Sequence, residues 1–240
     1  RVSALREHVT AIIERRRAQP REGDLLDGYM AARDSSGQPF SDAELLDELM
    51  TLVIAGFETA ANTLGWAWFL LADAPDVAQR LIVEARAALP DGAPATAEAV
   101  LSMTAVRQTL DEVMRLFPPV WLFTRRSQTD IEIGGFSLAA DTDVYLSPYL
   151  MQRDAKRWPD PDRFDPMRFA NPAAREAFFP FSLGPRRCLG EHFAYLEMAL
   201  QLGLLLPRFE LLRDGGPPPA LEFAINLRTR DDIVLRPQYR

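Results

Sequence analysis

The sequence is short of the residues that would tie it into a covalent framework. It holds one cysteine, Cys188, in 240 residues. No internal disulfide can form, so the fold must stand on its core, as suits a reducing compartment. Lysine is nearly missing too. Lys156 is the only one and the other cationic side chains are arginines, a bias associated with GC-rich bacterial genomes. There is no excess of positive charge: the net charge is −7, which argues against a general nucleic-acid partner. No apolar run is both long and clean enough to span a membrane. No signal or transit peptide is visible, although the chain opens on Arg1 rather than methionine. The chain also lacks an internal repeat, an interdomain linker, a Gly-rich nucleotide or flavin motif, and a cysteine cluster for iron–sulfur chemistry. The expectation is a cytoplasmic monomer with one domain over residues 1–240.

What is present is mostly helix. Residues 3–18 place Leu5, Val9, Ile12 and Ile13 on one face and end in Arg15, Arg16 and Arg17, read as a solvated helix end. Residues 24–33 form a short helix. Ser41 and Glu44 make a capping box, with Phe40 and Leu45 spaced as a hydrophobic staple. The helix they open extends to about residue 71, roughly 45 Å at 1.5 Å per residue. It is apolar nearly all round, which predicts burial on several sides. Helices follow at 75–89, 97–101 and 104–116, the last stopped by Pro118 and Pro119. Short strands are predicted at 120–124, 131–133, 136–138 and 143–146. A helical turn at 148–153 and a proline-rich irregular stretch lead to an apolar helix over 189–206. Strands at 209–212, 221–226 and 233–235 close the chain. The fold class is mainly α with small β-sheets.

Two places break local rules. The long helix carries Ala55, Gly56, Phe57, Glu58 and Thr59 in its middle. A glycine there costs about 1 kcal/mol relative to alanine, and a buried carboxylate costs more unless paired or protonated. Rule-breaking concentrated in one turn of a buried element points to a site. The plain alternative is a helix with one tolerated glycine and a glutamate reaching water. The second place is residues 181–190, where Phe181, Gly184, Arg186, Cys188 and Gly190 stand just before a helix. Arg186, Arg187 and a helix N-terminus favour an ionised sulfur, while a lone cysteine is commonly a small buried hydrophobe. Glu112 and Arg115, three apart, share a helix face; alone they are an ordinary ion pair.

Together these pieces resemble the cytochrome P-450 superfamily of haem-thiolate monooxygenases. Phe-x-x-Gly-x-Arg-x-Cys-x-Gly is matched by Phe181, Gly184, Arg186, Cys188 and Gly190. The long-helix motif is matched by Ala55, Gly56, Glu58 and Thr59, Glu-x-x-Arg by Glu112 and Arg115, and Pro-x-Arg-Phe by Pro161, Arg163 and Phe164. Ser182 and Ala60 depart from commoner family residues. The resemblance covers the whole chain but only the C-terminal portion of the family's fold, without its N-terminal helices.

The resemblance implies haem b, with Cys188 as the iron ligand. Arg186 and Arg125, with Arg126 as the fallback, would pair with the propionates. Phe181 and Gly190 would pack at the sulfur, and Ala55 and Gly56 would make room on the other face. Thr59 and Glu58 would serve oxygen activation and proton delivery. Glu112, Arg115 and Arg163 would form a structural network, and Trp121, Leu122, Phe123 and Ile225 would face a hydrophobic substrate. Dioxygen and a ferredoxin or flavoprotein reductase are the implied partners. Three other readings stay open. One is a cysteine hydrolase using His192 as its base. Another is a non-catalytic fragment exposing an apolar patch. The third is a haem-thiolate isomerase or peroxygenase.

Overall fold

In the computed structural model the described residues, 2–21 and 23–240, form eight α-helices and four two-stranded antiparallel sheets. This is the mainly α class with small sheets that the sequence predicts. The chain divides into two compact units, residues 1–58 and 59–240.

The first unit contains α1 (Val2–Ala18), α2 (Leu25–Ala31) and the start of α3 (Asp42–Ala72). Val9, Ile13, Leu26, Leu45 and Met50 form its small core. In the arginine run Arg15 and Arg17 are exposed, as its composition suggests, but Arg16 is not. Arg16 is buried and donates to Asp24 at 2.7 Å and also to Asp27. Arg17 donates to both oxygens of Asp42, at 3.0 and 2.6 Å. The reason is the capping box at α2, where Asp24 and Asp27 exchange bonds with each other's backbone N–H and present carboxylates that a guanidinium can reach. The Ser41–Glu44 box is also made, with Ser41 N–H donating to Glu44 at 2.8 Å and Glu44 N–H to Ser41 Oγ at 3.3 Å.

Helix α3 is a single helix of 31 residues and passes through the division between the units. The expected burial on several sides is not found in its middle. Val53, Ile54 and Phe57 are 43%, 58% and 77% exposed.

The second unit packs α4 (Pro75–Ala88), α5 (Ala97–Leu101), α6 (Thr104–Leu116) and α8 (Glu191–Leu205) with the end of α3. Leu81, Ile82, Val106, Leu110, Val113 and Leu202 are at most 1% exposed. Trp66 of α3 stacks on Phe117 at 3.7 Å. Gly203 is what lets α8 come close, since a Cβ there would meet Met103 Cε at 2.9 Å and Leu89 Cδ1 at 3.0 Å.

Strands β1 (Phe123–Arg126) and β4 (Asp143–Leu146) pair, as do β2 (Ile131–Ile133) and β3 (Phe136–Leu138). A short α7 (Pro148–Met151) follows β4. Strand β1 starts three residues later than expected and runs to Arg126, whose guanidinium grips Asp143 at 2.7 and 2.8 Å. The proline-rich stretch is built from tight 3-10 turns at Pro166–Ala170, Pro172–Ala177 and Gly184–Arg186. At the end of the chain β5 (Phe209–Leu212) pairs with β8 (Arg236–Tyr239), and β6 (Leu221–Phe223) with β7 (Leu227–Thr229). The final strand thus lies beyond the residues expected to form it.

Candidate functional site

The cysteine loop is shaped by its backbone. Ser182 and Gly184 adopt φ of 62° and 69°. A serine in that left-handed region is held at a cost of roughly 1–2 kcal/mol, which explains why glycine is common at its position in the motif. The turn is closed by the Cys188 N–H donating to the Phe181 carbonyl at 2.9 Å. Gly190 caps α8, and a Cβ there would stand 3.9 Å from Cys188 Sγ. The thiol itself is exposed. Leu183 and Leu189 beside it are 65% and 87% exposed.

The arginines sort themselves. Arg125 on β1 reaches this loop, donating to Ser182 Oγ at 3.0 Å, whereas Arg126 is taken by Asp143. The geometry therefore favours Arg125 over its neighbour. Arg186 is exposed, with no hydrogen-bond partner among the described residues. Arg187 is bound to Glu191 at 2.7 and 2.9 Å, so its charge is matched at the helix start. No hydrogen bond joins Cys188 to His192 among the described residues, which leaves a thiol–imidazole pair without its required geometry.

The Glu112–Arg115 pair is far from an ordinary surface contact. Both side chains are 0% exposed. Arg115 uses all five of its N–H donors. Two go to Glu112 at 2.7 and 2.8 Å, and the others to the carbonyls of Gln152, Pro161 and Arg163 at 2.9, 2.7 and 3.2 Å. Glu112 also accepts from the Asp165 N–H at 2.9 Å. Burial lifts the Glu112 carboxyl above its ordinary range, and the bonds from Arg115 and Asp165 pull it back.

The expectation for Arg163 needs correction. Its side chain is exposed and only its carbonyl joins the network. The second guanidinium beside Glu112, after that of Arg115, is Arg168's, with Nε 3.4 Å from Oε1. The sequence carries a second Pro-x-Arg-Phe run, Pro166 to Phe169, and the tight turn at Pro166 aims that arginine inward. Gln152 was missed altogether. It is fully buried, donating to the carbonyls of Met114 and Arg115 and accepting from the Phe179 N–H at 3.2 Å.

Trp121 and the region of Ile225 meet. Trp121 Nε1 donates to the Ala224 carbonyl at 2.8 Å, and Ile225 at the hairpin tip is 93% exposed. Leu122 is half-buried, and Phe123 sets its ring edge-on to Phe179 at 6.3 Å. In the first unit Ala55 and Gly56 are exposed and Glu58 is half-buried, with nothing within 4 Å of a Cβ placed at Gly56. Thr59 opens the second unit, and its carbonyl accepts from Thr63 Oγ1 at 3.0 Å.

An open thiol at a helix start, exposed leucines beside it, and guanidinium groups from two elements make a set of donors with one chemical sense. The chain belongs to the cytochrome P-450 family, a family of haem-dependent monooxygenases. The sequence model of that family matches residues 1–235. Cyclooctatin synthase of Streptomyces melanosporofaciens is 39% identical over 194 residues, which are 79% of this chain and 42% of that protein. Pentalenene oxygenase of Streptomyces avermitilis is 35% identical, over 83% of this chain and 45% of the relative. Rabbit (Oryctolagus cuniculus) cytochrome P-450 4A6 is 35% identical, over 96% and 48%. A cytochrome P-450 crystal structure superposes with a TM-score of 0.91 at 28% identity, covering 99% of this chain and 56% of that one. The chain thus spans about half the length of the relatives it matches. Among the described residues no helix is long and apolar enough to cross a membrane.

The residues present fit a haem. The cysteine sulfur is a soft anionic donor when ionised, the glycine at the helix cap keeps backbone clear of it, and a flat apolar ring suits exposed Leu183 and Leu189. Arg125 and Arg186 are forks for carboxylates.

Proposed function

We propose that this chain carries the iron-ligating half of a haem-thiolate monooxygenase that hydroxylates or epoxidises a hydrophobic small molecule. The observation that carries the reading is the cysteine loop: one exposed thiol, held by the Phe181 carbonyl, at the start of α8 with Arg125 reaching across.

In this reading the Cys188 thiolate binds the iron of haem b. Arg125 and Arg186 hold its propionates, and Phe181 and Gly190 pack at the sulfur and keep water from it. The chemistry supplied by bound haem is oxygen activation, in which dioxygen, two electrons and two protons give one oxygen inserted into a C–H or C=C bond and one water. By resemblance, Ala55 and Gly56 would leave space for dioxygen, and Thr59 and Glu58 would serve hydrogen bonding and proton delivery. Glu112, Arg115 and Arg168 hold the frame beneath. Trp121, Leu122, Phe123 and Ile225 present apolar surface to the substrate. A relative named pentalenene oxygenase is in keeping with an oxygenase reading. The electrons come from a ferredoxin or a flavoprotein reductase.

A second reading is favoured by one observation. Val53, Ile54 and Phe57 are exposed on α3, as in a piece that awaits the rest of its fold before it closes a pocket. A carbon-monoxide difference spectrum of the reduced protein tests both readings, on this chain and on a longer natural form. The expected result is a thiolate-ligated signal in the longer form. Its presence in this chain as well would remove the second reading. Its absence from the longer form would refute the first.

A further inference from the structure

Behind the cysteine loop lies a polar cluster that the reading above does not use. Asp111 on α6 is 0% exposed. It accepts from Tyr195 Oη at 2.5 Å, Arg107 Nε at 3.2 Å and Arg175 Nη2 at 2.7 Å. Tyr195 lies on α8, two turns beyond Cys188, and is 2% exposed. Its ring is held from two sides, by the Arg107 guanidinium 3.3 Å from the ring centre and by Phe181 at 5.3 Å between centroids. Burial beside the Asp111 carboxylate keeps the Tyr195 phenol protonated well above its ordinary range, so it remains a donor. Phe181 is the residue whose carbonyl accepts the Cys188 N–H.

These contacts form one continuous line. Two arginines fix a carboxylate, the carboxylate fixes a phenol, the phenol ring backs Phe181, and Phe181 closes the turn that carries the thiol. We propose that Tyr195, anchored on Asp111, is a positioning residue for Cys188. It sets the Phe181 ring and so limits the loop's motion and the water that reaches the sulfur. The part of this that concerns iron rests on the haem-thiolate reading; the part that concerns the loop does not.

Two measurements separate these parts. The first is amide hydrogen exchange in the haem-free chain. In Tyr195→Phe the ring stays and the bond to Asp111 is lost, so Cys188 N–H protection is expected to fall roughly tenfold, with α4 to α6 unchanged. Tyr195→Ala removes the ring as well and should lose more. The second is the iron midpoint potential of the haem-loaded protein. Reduction adds one negative charge to the centre, and water admitted beside the sulfur favours the charged state, so the potential should rise from wild type to Tyr195→Phe to Tyr195→Ala. Unchanged protection of Cys188 in both variants, or a loss spread evenly through α6 and α8, would overturn the proposal. So would an unchanged potential in a variant whose loop has loosened. A wild-type protein without the thiolate signature would sink the haem reading alone, and exchange would then decide whether Tyr195 anchors the loop.

Discussion

Arg115 shows how much a single residue can be asked to hold. Its five donors are all used in a fully buried place, so its removal leaves the Glu112 carboxylate with only Arg168 and the Asp165 N–H beside it and frees three carbonyls. Arg115→Ala is expected to cost about 3–5 kcal/mol and to abolish haem incorporation, read from unfolding in urea and from holoprotein yield. Lysine, a point charge with three donors, should not rescue it. The neighbouring arginines give a sharper contrast. Arg168→Ala removes the second guanidinium beside Glu112 and two bonds to the backbone at Pro159 and Asp160, and should destabilise by about 1–3 kcal/mol. Arg163→Ala removes only an exposed side chain and should stay within about 0.5 kcal/mol of wild type. Equal losses in the two variants would contradict the network as drawn. The sequence could not make this choice, because Pro161 to Phe164 and Pro166 to Phe169 have the same spelling; only the direction of the turn at Pro166 separates them. Cys188 and Glu112 were legible because their motifs have fixed offsets. Gln152 and Asp111 were not, since a buried polar residue that serves backbone carbonyls or distant arginines leaves no period in the sequence.

At the scale of elements, the helices were readable and the strands less so. Capping boxes, proline stops and apolar stripes act within a few residues, and they placed α3, α4, α5 and α6 within about two residues. A strand such as β8, which pairs with β5, depends on a partner elsewhere in the chain, and no local pattern fixes that. The same distinction bears on how the elements respond to acid. In the first unit Arg16 holds Asp24 well below the usual carboxylate range, and Arg17 lowers Asp42. A carboxyl depressed in the folded state contributes stability above its unfolded value, near pH 4, and that contribution is lost as pH falls through the folded value. Glu112 runs the other way. Burial lifts its carboxyl, so its contribution is complete in acid and is lost as pH rises through the folded value. Acid should therefore loosen α1 and α2 before the second unit. Hydrogen exchange followed from pH 6 to pH 3 would check this; α6 exchanging first would contradict it.

At the scale of the whole molecule, the two units have separate cores, and each presents apolar side chains to water. Phe57 does so in the first, and Leu189, Phe193 and Ile225 in the second, all more than 65% exposed. Exposed large apolar side chains of this kind favour association. The 240-residue chain is expected to bind a hydrophobic dye and to self-associate at micromolar concentration, whereas a longer form with the rest of the family's fold should do neither. Sedimentation of both forms would decide, and a monodisperse, dye-free short chain would contradict the expectation. The residues that made α3 read as deeply buried are the ones left open here.

The single exposed thiol has a consequence in oxidising surroundings. A cysteine with a neighbour can be rescued from its first oxidation step by closing an internal bridge. Cys188 has no such neighbour, because there is no other sulfhydryl in the chain. Once oxidised it can be capped by a small thiol, condense with a backbone nitrogen, advance to acids that do not revert, or join a second molecule through a disulfide. The exposed thiol is thus open to irreversible oxidation, and under the haem-thiolate proposal cofactor capture during synthesis would act as protection as well as activation.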